Sequence, residues 1–284
     1  MRTVEDIEIR FPGSLAEALT WQADEKTRGR PLAGGTDLMV QWESGVAAIP
    51  DRAVSLWGLK ELKGIRETPR GIEVGALTTH TELRSSPLVR GKLPALAAAA
   101  ATVGGRQIQN RGTIAGNIAN ASPAGDLAPA LLITGGAATV ASVSGRRDIP
   151  LTNLFLGYRK LDLRPDELIV SFTLPALPAG AREAFHKIGT RAAQAISKVM
   201  GACRVCVQKG SVVSLAVALG SVAPVPVRLP ELEQWIAGRR VDLNLLEEVE
   251  RRASTEVRPI DDIRSTATYR KWVSGRLVRA LLEA

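Results

Sequence analysis

Two separated glycine-bearing segments hold the residue types that could do chemistry. One is Ala33-Gly34-Gly35-Thr36-Asp37; the other is Thr113-Ile114-Ala115-Gly116-Asn117, continuing to Ser122 and Asp126. Glycine tolerates positive φ and lets bare backbone N–H groups approach a ligand. Successive N–H groups form a nest that suits a phosphate. Thr36, Thr113 and Asn117 add hydrogen-bonding side chains without bulk. Two such segments closing from opposite sides would suit a pyrophosphate, although each alone also reads as an ordinary turn. Neither matches G-x-G-x-x-G, and the chain has no G-x-x-x-x-G-K-[ST], so the commonest nucleotide fingerprints are excluded.

The remaining reactive side chains are sparse. Cys203 and Cys206 form a C-x-x-C within MGACRVCVQ, which reads as a β-strand that points the two thiols to opposite faces. With no second C-x-x-C and 2 His in the chain, a zinc site or an iron–sulfur cluster held by this chain alone is not expected. His80 and His186 have no metal-ligand spacing and read as framework. No Ser-His-Asp or paired-carboxylate arrangement is arguable.

The elements that must position these residues follow from pattern. The chain has 284 residues, 45% of them apolar, enough for two domains with buried cores. Net charge is +8, and Lys60 to Gly112 alone carries nine Lys/Arg against four Glu, an excess that suits an anionic ligand or partner. Aromatic residues are only 4%, so a nucleic-acid stacking platform is not expected. The start, MRTVEDIEIRFPGS, lacks the apolar run of a signal peptide. The uncharged stretch Leu127 to Gly145, broken by Pro129 and Gly135-Gly136, reads as a short buried helix, a turn and a strand rather than a membrane span. Few cysteines and no leader point to a cytoplasmic protein.

Ser14 and Glu17 have capping-box spacing before a short helix. RPLAGGTDLMV reads as a strand, a glycine turn, then helix or strand. GIEVGAL, ATVAS and ELIVSFTLP read as strands, and Thr79–Leu83 and Leu93–Val103 as helices. PALPAG, Pro175 to Gly180, is the linker candidate. Beyond it come three strand-like runs and two amphipathic helices, an α+β arrangement.

LAGGTDL at 32–38, QIQNRGTIAGNIANASPAGDLAPALL at 107–132, GYRKLDLRPDELI at 157–169 and RAAQAISKV at 191–199 fall in one order. Together they resemble the FAD-binding (medium) subunit of molybdenum hydroxylases, the xanthine dehydrogenase and carbon monoxide dehydrogenase flavoprotein family. The resemblance spans nearly the whole chain. It implies an α+β fold: a p-cresol methylhydroxylase-type FAD-binding region of two α+β subdomains, residues 1–176 with a break near 55–60. A C-terminal domain, residues 181–284, would follow, with a three-stranded antiparallel sheet and helices.

The resemblance also implies residue roles. Leu32, Ala33, Gly34, Gly35, Thr36, Asp37 and Leu38 match the AGGT turn, and Thr113, Ala115, Gly116 and Asn117 match the T-I-G-G-N loop; both wrap the FAD pyrophosphate in the family. Ala115 departs from the family glycine and disfavours positive φ. Ser122 and Asp126 match the ASPxxD element that approaches the flavin's ribityl-adenosine part; a helix N-cap is the alternative for Asp126. Ile169 and Lys187 match positions bordering the isoalloxazine, with a solvated surface lysine as the alternative for Lys187. Val103 matches a flavin-proximal apolar position, or is helix core.

The implied protein is an FAD-binding oxidoreductase subunit that is active only in a complex. It would hold FAD non-covalently, with no catalytic residue or metal of its own, and would carry electrons from [2Fe-2S] clusters to NAD, a quinone or oxygen. The clusters and the molybdenum cofactor would belong to small and large partner subunits of a heterotrimer that is itself dimerised. A stand-alone flavin oxidase and a non-enzymatic nucleotide-binding scaffold are the alternatives.

Overall fold

The computed structural model describes residues 3–191 and 194–284. Met1 and Arg2 of the N-terminal reading, and Ala192 and Ala193 of the RAAQAISKV motif, lie outside the described residues.

The chain opens with β1 (Glu8–Arg10), α1 (Leu15–Ala23), β2 (Arg30–Leu32), α2 (Leu38–Glu43) and β3 (Arg52–Ser55). The strands form a three-stranded parallel sheet in the order β1-β3-β2. Parallel strands need crossovers, and α1 and α2 supply them. The Ser14 side chain accepts from Glu17 N–H at 3.2 Å. The expected reciprocal bond is displaced by one residue, because Glu17 accepts from Gly13 N–H at 2.6 Å instead of from Ser14. The segment after the glycine turn, open between helix and strand by pattern, is the helix α2.

A five-stranded antiparallel sheet follows, in the order β4-β5-β10-β6-β7. Its first hairpin is β4 (Ile65–Thr68) and β5 (Gly71–Gly75). Six short helices then intervene: α3 (His80–Ser85), α4 (Pro87–Lys92), α5 (Pro94–Thr102), α6 (Arg106–Arg111), α7 (Ile114–Ala119) and α8 (Leu127–Leu132). The chain returns through β6 (Ala137–Ser142), β7 (Gly145–Pro150), α9 (Leu151–Leu154), a small hairpin of β8 (Phe155–Gly157) and β9 (Lys160–Leu161), and β10 (Leu168–Leu174). Local chemistry starts these helices: Thr79 and Glu82 make a capping box for α3, Ser86 caps α4 ahead of Pro87, and Pro94 stands in the first turn of α5. The apolar stretch after Asp126 is the buried helix α8, followed by a turn and β6, as its proline and glycines imply.

The last part holds β11 (Ala181–Ile188), β12 (Val199–Gln208), β13 (Ser211–Gly220) and β14 (Val227–Arg228), an antiparallel sheet in chain order. Three long strands match the expected meander; the two-residue β14 adds a short edge. Helices α10 (Pro230–Ile236), α11 (Leu243–Glu256) and α12 (Ala267–Glu283) complete the chain. Asp242 caps α11 through Leu245 N–H, and Thr266 caps α12 through Tyr269 N–H, each worth about 1 kcal/mol.

The two faces of this sheet bury different partners. Val199, Cys203, Val205, Val217 and Leu219 face a core shared with Val249, Leu277 and Leu281 of α11 and α12. Ala202 and Ala218 belong instead to the main core around α5, α8 and β10, with Ala216 and Phe185 packed against it. Small side chains on that face let α5 and α8 approach closely. Buried charge adds to the joint. Glu183 accepts from Ala95 N–H at 3.1 Å and pairs with Arg204 at 2.7 Å, while Arg204 also donates to the Pro175 carbonyl at 3.1 Å.

Among the described residues no helix is long and apolar enough to cross a membrane. No group of three or more His, Cys, Asp or Glu side chains among them is placed to hold a metal ion.

Candidate functional site

Gly34 and Gly35 lie in the turn between β2 and α2. Gly35 adopts φ +78°, open to glycine at little cost. Gly34 is constrained by space rather than by φ: a Cβ there would overlap the carbonyl of Arg111 and lie 3.1 Å from Gly112 N. The first segment thus rests directly on the residues leading into the second. Among the described residues, none accepts a hydrogen bond from the N–H of Gly34, Gly35, Thr36, Asp37 or Leu38. The turn presents successive free donors, the arrangement that binds an anion. Leu32 and Leu38 pack beside Ile7, Trp42 and Ala53, and Ala33 beside the Leu15–Leu19 face of α1.

The second segment is built differently from the expected open loop. Thr113 caps α7, and its Oγ1 accepts from Gly116 N–H at 3.1 Å. Ile114 N–H donates to the Thr78 carbonyl at 2.9 Å, Ala115 N–H to Ala76 at 3.1 Å and Asn117 N–H to Thr113 at 3.0 Å. These donors are satisfied within the chain and form no nest. Helical backbone is the reason, and it also answers the question raised by Ala115. That residue is in α7 and buried, so its methyl group imposes no left-handed strain.

The second segment offers acceptors instead. Asn117 Oδ1 and Asp126 Oδ1 are buried without a hydrogen-bond partner. Asn117 Oδ1 lies 3.4 Å from where a Cβ on Gly125 would stand, so it faces the turn that runs from Ser122 to Asp126. In that turn Ser122 Oγ accepts from Ala124 N–H at 3.2 Å, and Gly125 N–H donates to the Ser122 carbonyl at 3.0 Å.

Asp126 precedes α8, but its side chain caps no N–H group. It pairs with Lys187 of β11 at 2.5 Å, and Lys187 also donates to the Thr102 carbonyl at 3.1 Å. The Lys187 side chain is 11% exposed, so it is not a solvated surface lysine. Burial pushes the Asp126 carboxyl up to about 6, against the pull of the neighbouring Lys187 charge. Lys187 lines a cavity of about 240 Å³ with Ala98, Thr102, Phe185, His186, Arg191, Gln194 and Ala195. A groove of about 340 Å³ by α11 and α12, lined by Glu247, Glu250, Arg251, Ser254 and Trp272, holds none of the expected site residues.

Val103 follows α5, half-buried against the main core. Ile169 is buried in that same core at a register shift of β10 against β6. His80 is buried at the start of α3, its ring against Gly112, and burial lowers its imidazole to about 4. Cys203 and Cys206 are free and buried; Cys203 donates to the Leu281 carbonyl at 3.1 Å.

Pattern gave no warning of several contacts. Arg111 and Lys63 lie over the Trp57 ring at 3.9 Å and 4.9 Å, so two cations from the basic stretch meet on one indole ring. Arg159, with φ +53°, reaches Gln41 of α2 at 3.4 Å, and Gln41 donates to Asn120 at 3.1 Å. Ser221, with φ +63°, donates its N–H to the Pro123 carbonyl at 2.8 Å. Each contact joins distant segments, which no local periodicity encodes.

Two family models match the chain: the FAD binding domain in molybdopterin dehydrogenase over residues 5–177, and the CO dehydrogenase flavoprotein C-terminal domain over residues 184–284. The chain is 31% identical to the carbon monoxide dehydrogenase medium chain of Hydrogenophaga pseudoflava, over 98% of this chain and 96% of that one. It is 32% identical to the xanthine dehydrogenase FAD-binding subunit of Escherichia coli, over 90% and 88%. Its fold superposes on a solved chain of Hydrogenophaga pseudoflava carbon monoxide dehydrogenase with a TM-score of 0.94 at 29% identity, covering 98% and 96%. For quinoline 2-oxidoreductase from Pseudomonas putida the TM-score is 0.91 at 25% identity, covering 98% and 95%. Matched along its length in both sequence and fold, the chain belongs to the family of FAD-binding medium subunits of molybdenum hydroxylases, whose members are subunits of dehydrogenase complexes.

Proposed function

We propose that this chain is the electron-transfer subunit of a cytoplasmic molybdenum hydroxylase. It would carry electrons from [2Fe-2S] clusters of a small partner subunit through FAD to an external acceptor, while a large partner subunit holds the molybdenum cofactor. Relatives named as medium chains and FAD-binding subunits support the heterotrimer. The observation that carries the reading is the chemical split of the site. Free N–H groups from Gly34 to Leu38 suit the pyrophosphate, and the unpartnered acceptors Asn117 Oδ1 and Asp126 Oδ1 suit hydroxyl donors of the ribityl or ribose parts.

The residues present therefore fit FAD. The cofactor supplies the redox chemistry when bound. In this reading Gly34, Gly35 and Thr36 hold phosphate with their N–H groups, and Thr113 and Gly116 keep α7 in place. Asn117 and Asp126 orient hydroxyls. Lys187 sets the carboxylate of Asp126 and puts positive charge on the cavity wall. Val103 and Ile169 act from the apolar core behind. The same proposal divides the chain into residues 1–176, with a break near 55–60, and residues 181–284; the ends of the parallel sheet at Ser55 and of β10 at Leu174 support these limits.

The test is direct. Purified chain is expected to show flavin absorption bands, and acid precipitation is expected to release the flavin into solution. A colourless protein overturns the reading. A yellow pellet overturns non-covalent binding. Turnover of a purine or of carbon monoxide by the isolated chain overturns the subunit model.

A further inference from the structure

The turn from Ser122 to Asp126 is held from outside at both ends. Lys187 takes Asp126 at 2.5 Å, and Ser221 N–H takes the Pro123 carbonyl at 2.8 Å. Ser221 follows β13 directly and is 5% exposed. Its carbonyl accepts from Arg270 Nη1 of α12 at 2.7 Å. Its hydroxyl lies 2.9 Å from that of Ser197, which is 1% exposed, and 3.3 Å from the Ser197 carbonyl. Ser197 stands just before β12, between the cavity-lining residues Gln194 and Ala195 and the strand itself.

A serine at φ +63° is unusual. Left-handed backbone strains a non-glycine residue, and such a residue persists where its surroundings over-determine it. Here three segments do so: the Pro123 turn, α12 through Arg270, and the approach to β12 through Ser197. Every polar group of Ser221 is in use: its hydroxyl meets Ser197, its carbonyl meets Arg270, and its N–H holds the turn that carries Asp126 and faces Asn117 Oδ1.

We infer that Ser221 and Ser197 are positioning residues for the flavin, their buried hydroxyl pair fixing the Pro123 turn so that the unpartnered oxygens of Asn117 and Asp126 meet the cofactor's hydroxyls. The inference rests on the FAD reading above. Neither serine touches the ligand in this account; both act through the turn.

The experiment titrates FAD into the deflavinated full-length chain, well below the Tm of each variant. Ser197→Ala removes one hydroxyl, and Ser221→Gly removes the other while accepting the positive φ at least as well. Each is expected to weaken FAD binding about tenfold, the scale of one hydrogen bond, and to shift the midpoint potential of the bound flavin. The double variant is expected to be no weaker than Ser221→Gly alone, because that change already removes both the hydroxyl pair and the bond to the Ser197 carbonyl. Wild-type affinity and potential in both single variants, with only Tm lowered, would make the pair purely structural and overturn the inference. Additive losses would also overturn it. Failure of the wild-type chain itself to bind FAD would instead sink the underlying reading.

Discussion

Gly34 sits so close to the Arg111 carbonyl that a methyl group on it would occupy the oxygen's own space. Backbone cannot yield as the end of a flexible side chain can. Gly34→Ala is therefore expected to part the two segments and abolish FAD retention, read as flavin absorbance per mole of purified chain. Gly58→Ala, which meets nothing within 4 Å, is the control and is expected to keep full flavin content. Equal flavin in Gly34→Ala and wild type would refute the placement.

Gly116 is a milder case. A Cβ there would approach Thr113 Oγ1 at 2.9 Å, the atom that caps α7. Gly116→Ala is expected to cost about 1 kcal/mol by disturbing that cap, seen as a modest fall in urea midpoint, with weakened rather than abolished FAD binding. Complete flavin loss would mean that the ligand contacts this glycine directly.

Lys187→Met leaves Asp126 buried without its cation. Breaking a buried pair costs about 3–5 kcal/mol, and the carboxyl then titrates above about 6, its value with Lys187 present. A folded-state carboxyl raised in this way withdraws stability as pH rises through its pKa. The variant is expected to be markedly less stable at pH 8 than at pH 5.5, with a larger difference than wild type. Parallel Tm–pH curves for the two proteins would refute this.

His80 and Asp126 push stability in opposite directions. His80 is held at about 4, below its ordinary 6.5, so the unfolded chain binds the extra proton and stability rises with pH across that window. Asp126 is raised from 3.8 to about 6, so its contribution falls as pH rises across that range. Each is worth up to about 3 kcal/mol. Relative to wild type, His80→Gln is expected to lose the rising limb and Asp126→Asn the falling one, measured by denaturation between pH 4 and pH 7. Unchanged slopes would refute either assignment.

Arg204→Leu strips the guanidinium from Glu183, whose side chain is 1% exposed. The expected cost is about 3–5 kcal/mol, with the Ala95 N–H bond to Glu183 left intact. A change below about 1 kcal/mol in urea unfolding would show that Glu183 is protonated or rehydrated instead.

Local chemistry was legible in the sequence where one residue answers its neighbour. Ser14 and Thr79 announced helices, alternation announced β5 and β10, and amphipathic spacing announced α11 and α12. The glycine turn was legible as a run of consecutive donors, and among the described residues those N–H groups have no acceptor. The T-I-A-G-N segment was misjudged as a nest, since its N–H groups are taken by Ala76 and Thr78, residues that sequence spacing cannot associate with it. Lys187 and Asp126 were named through resemblance, but their pairing was not, because it joins residues 61 apart. Ser197 and Ser221 carried no signal: serines are common, and only the folded chain brings these two together.

The docking of Ser221 and Lys187 onto the Pro123 turn also orders events in time. On a ribosome, the glycine turn and α7 emerge long before β11 and β13, so the turn carrying Asp126 has no anchor when it is first made. Under the proposed FAD reading, a nascent or truncated chain ending before Gly220 would present the N–H donors of Gly34 to Leu38 and lack the Ser221 bond that holds the Pro123 turn. On that reading cofactor capture would be a late step in biogenesis, completed once the C-terminal sheet has closed.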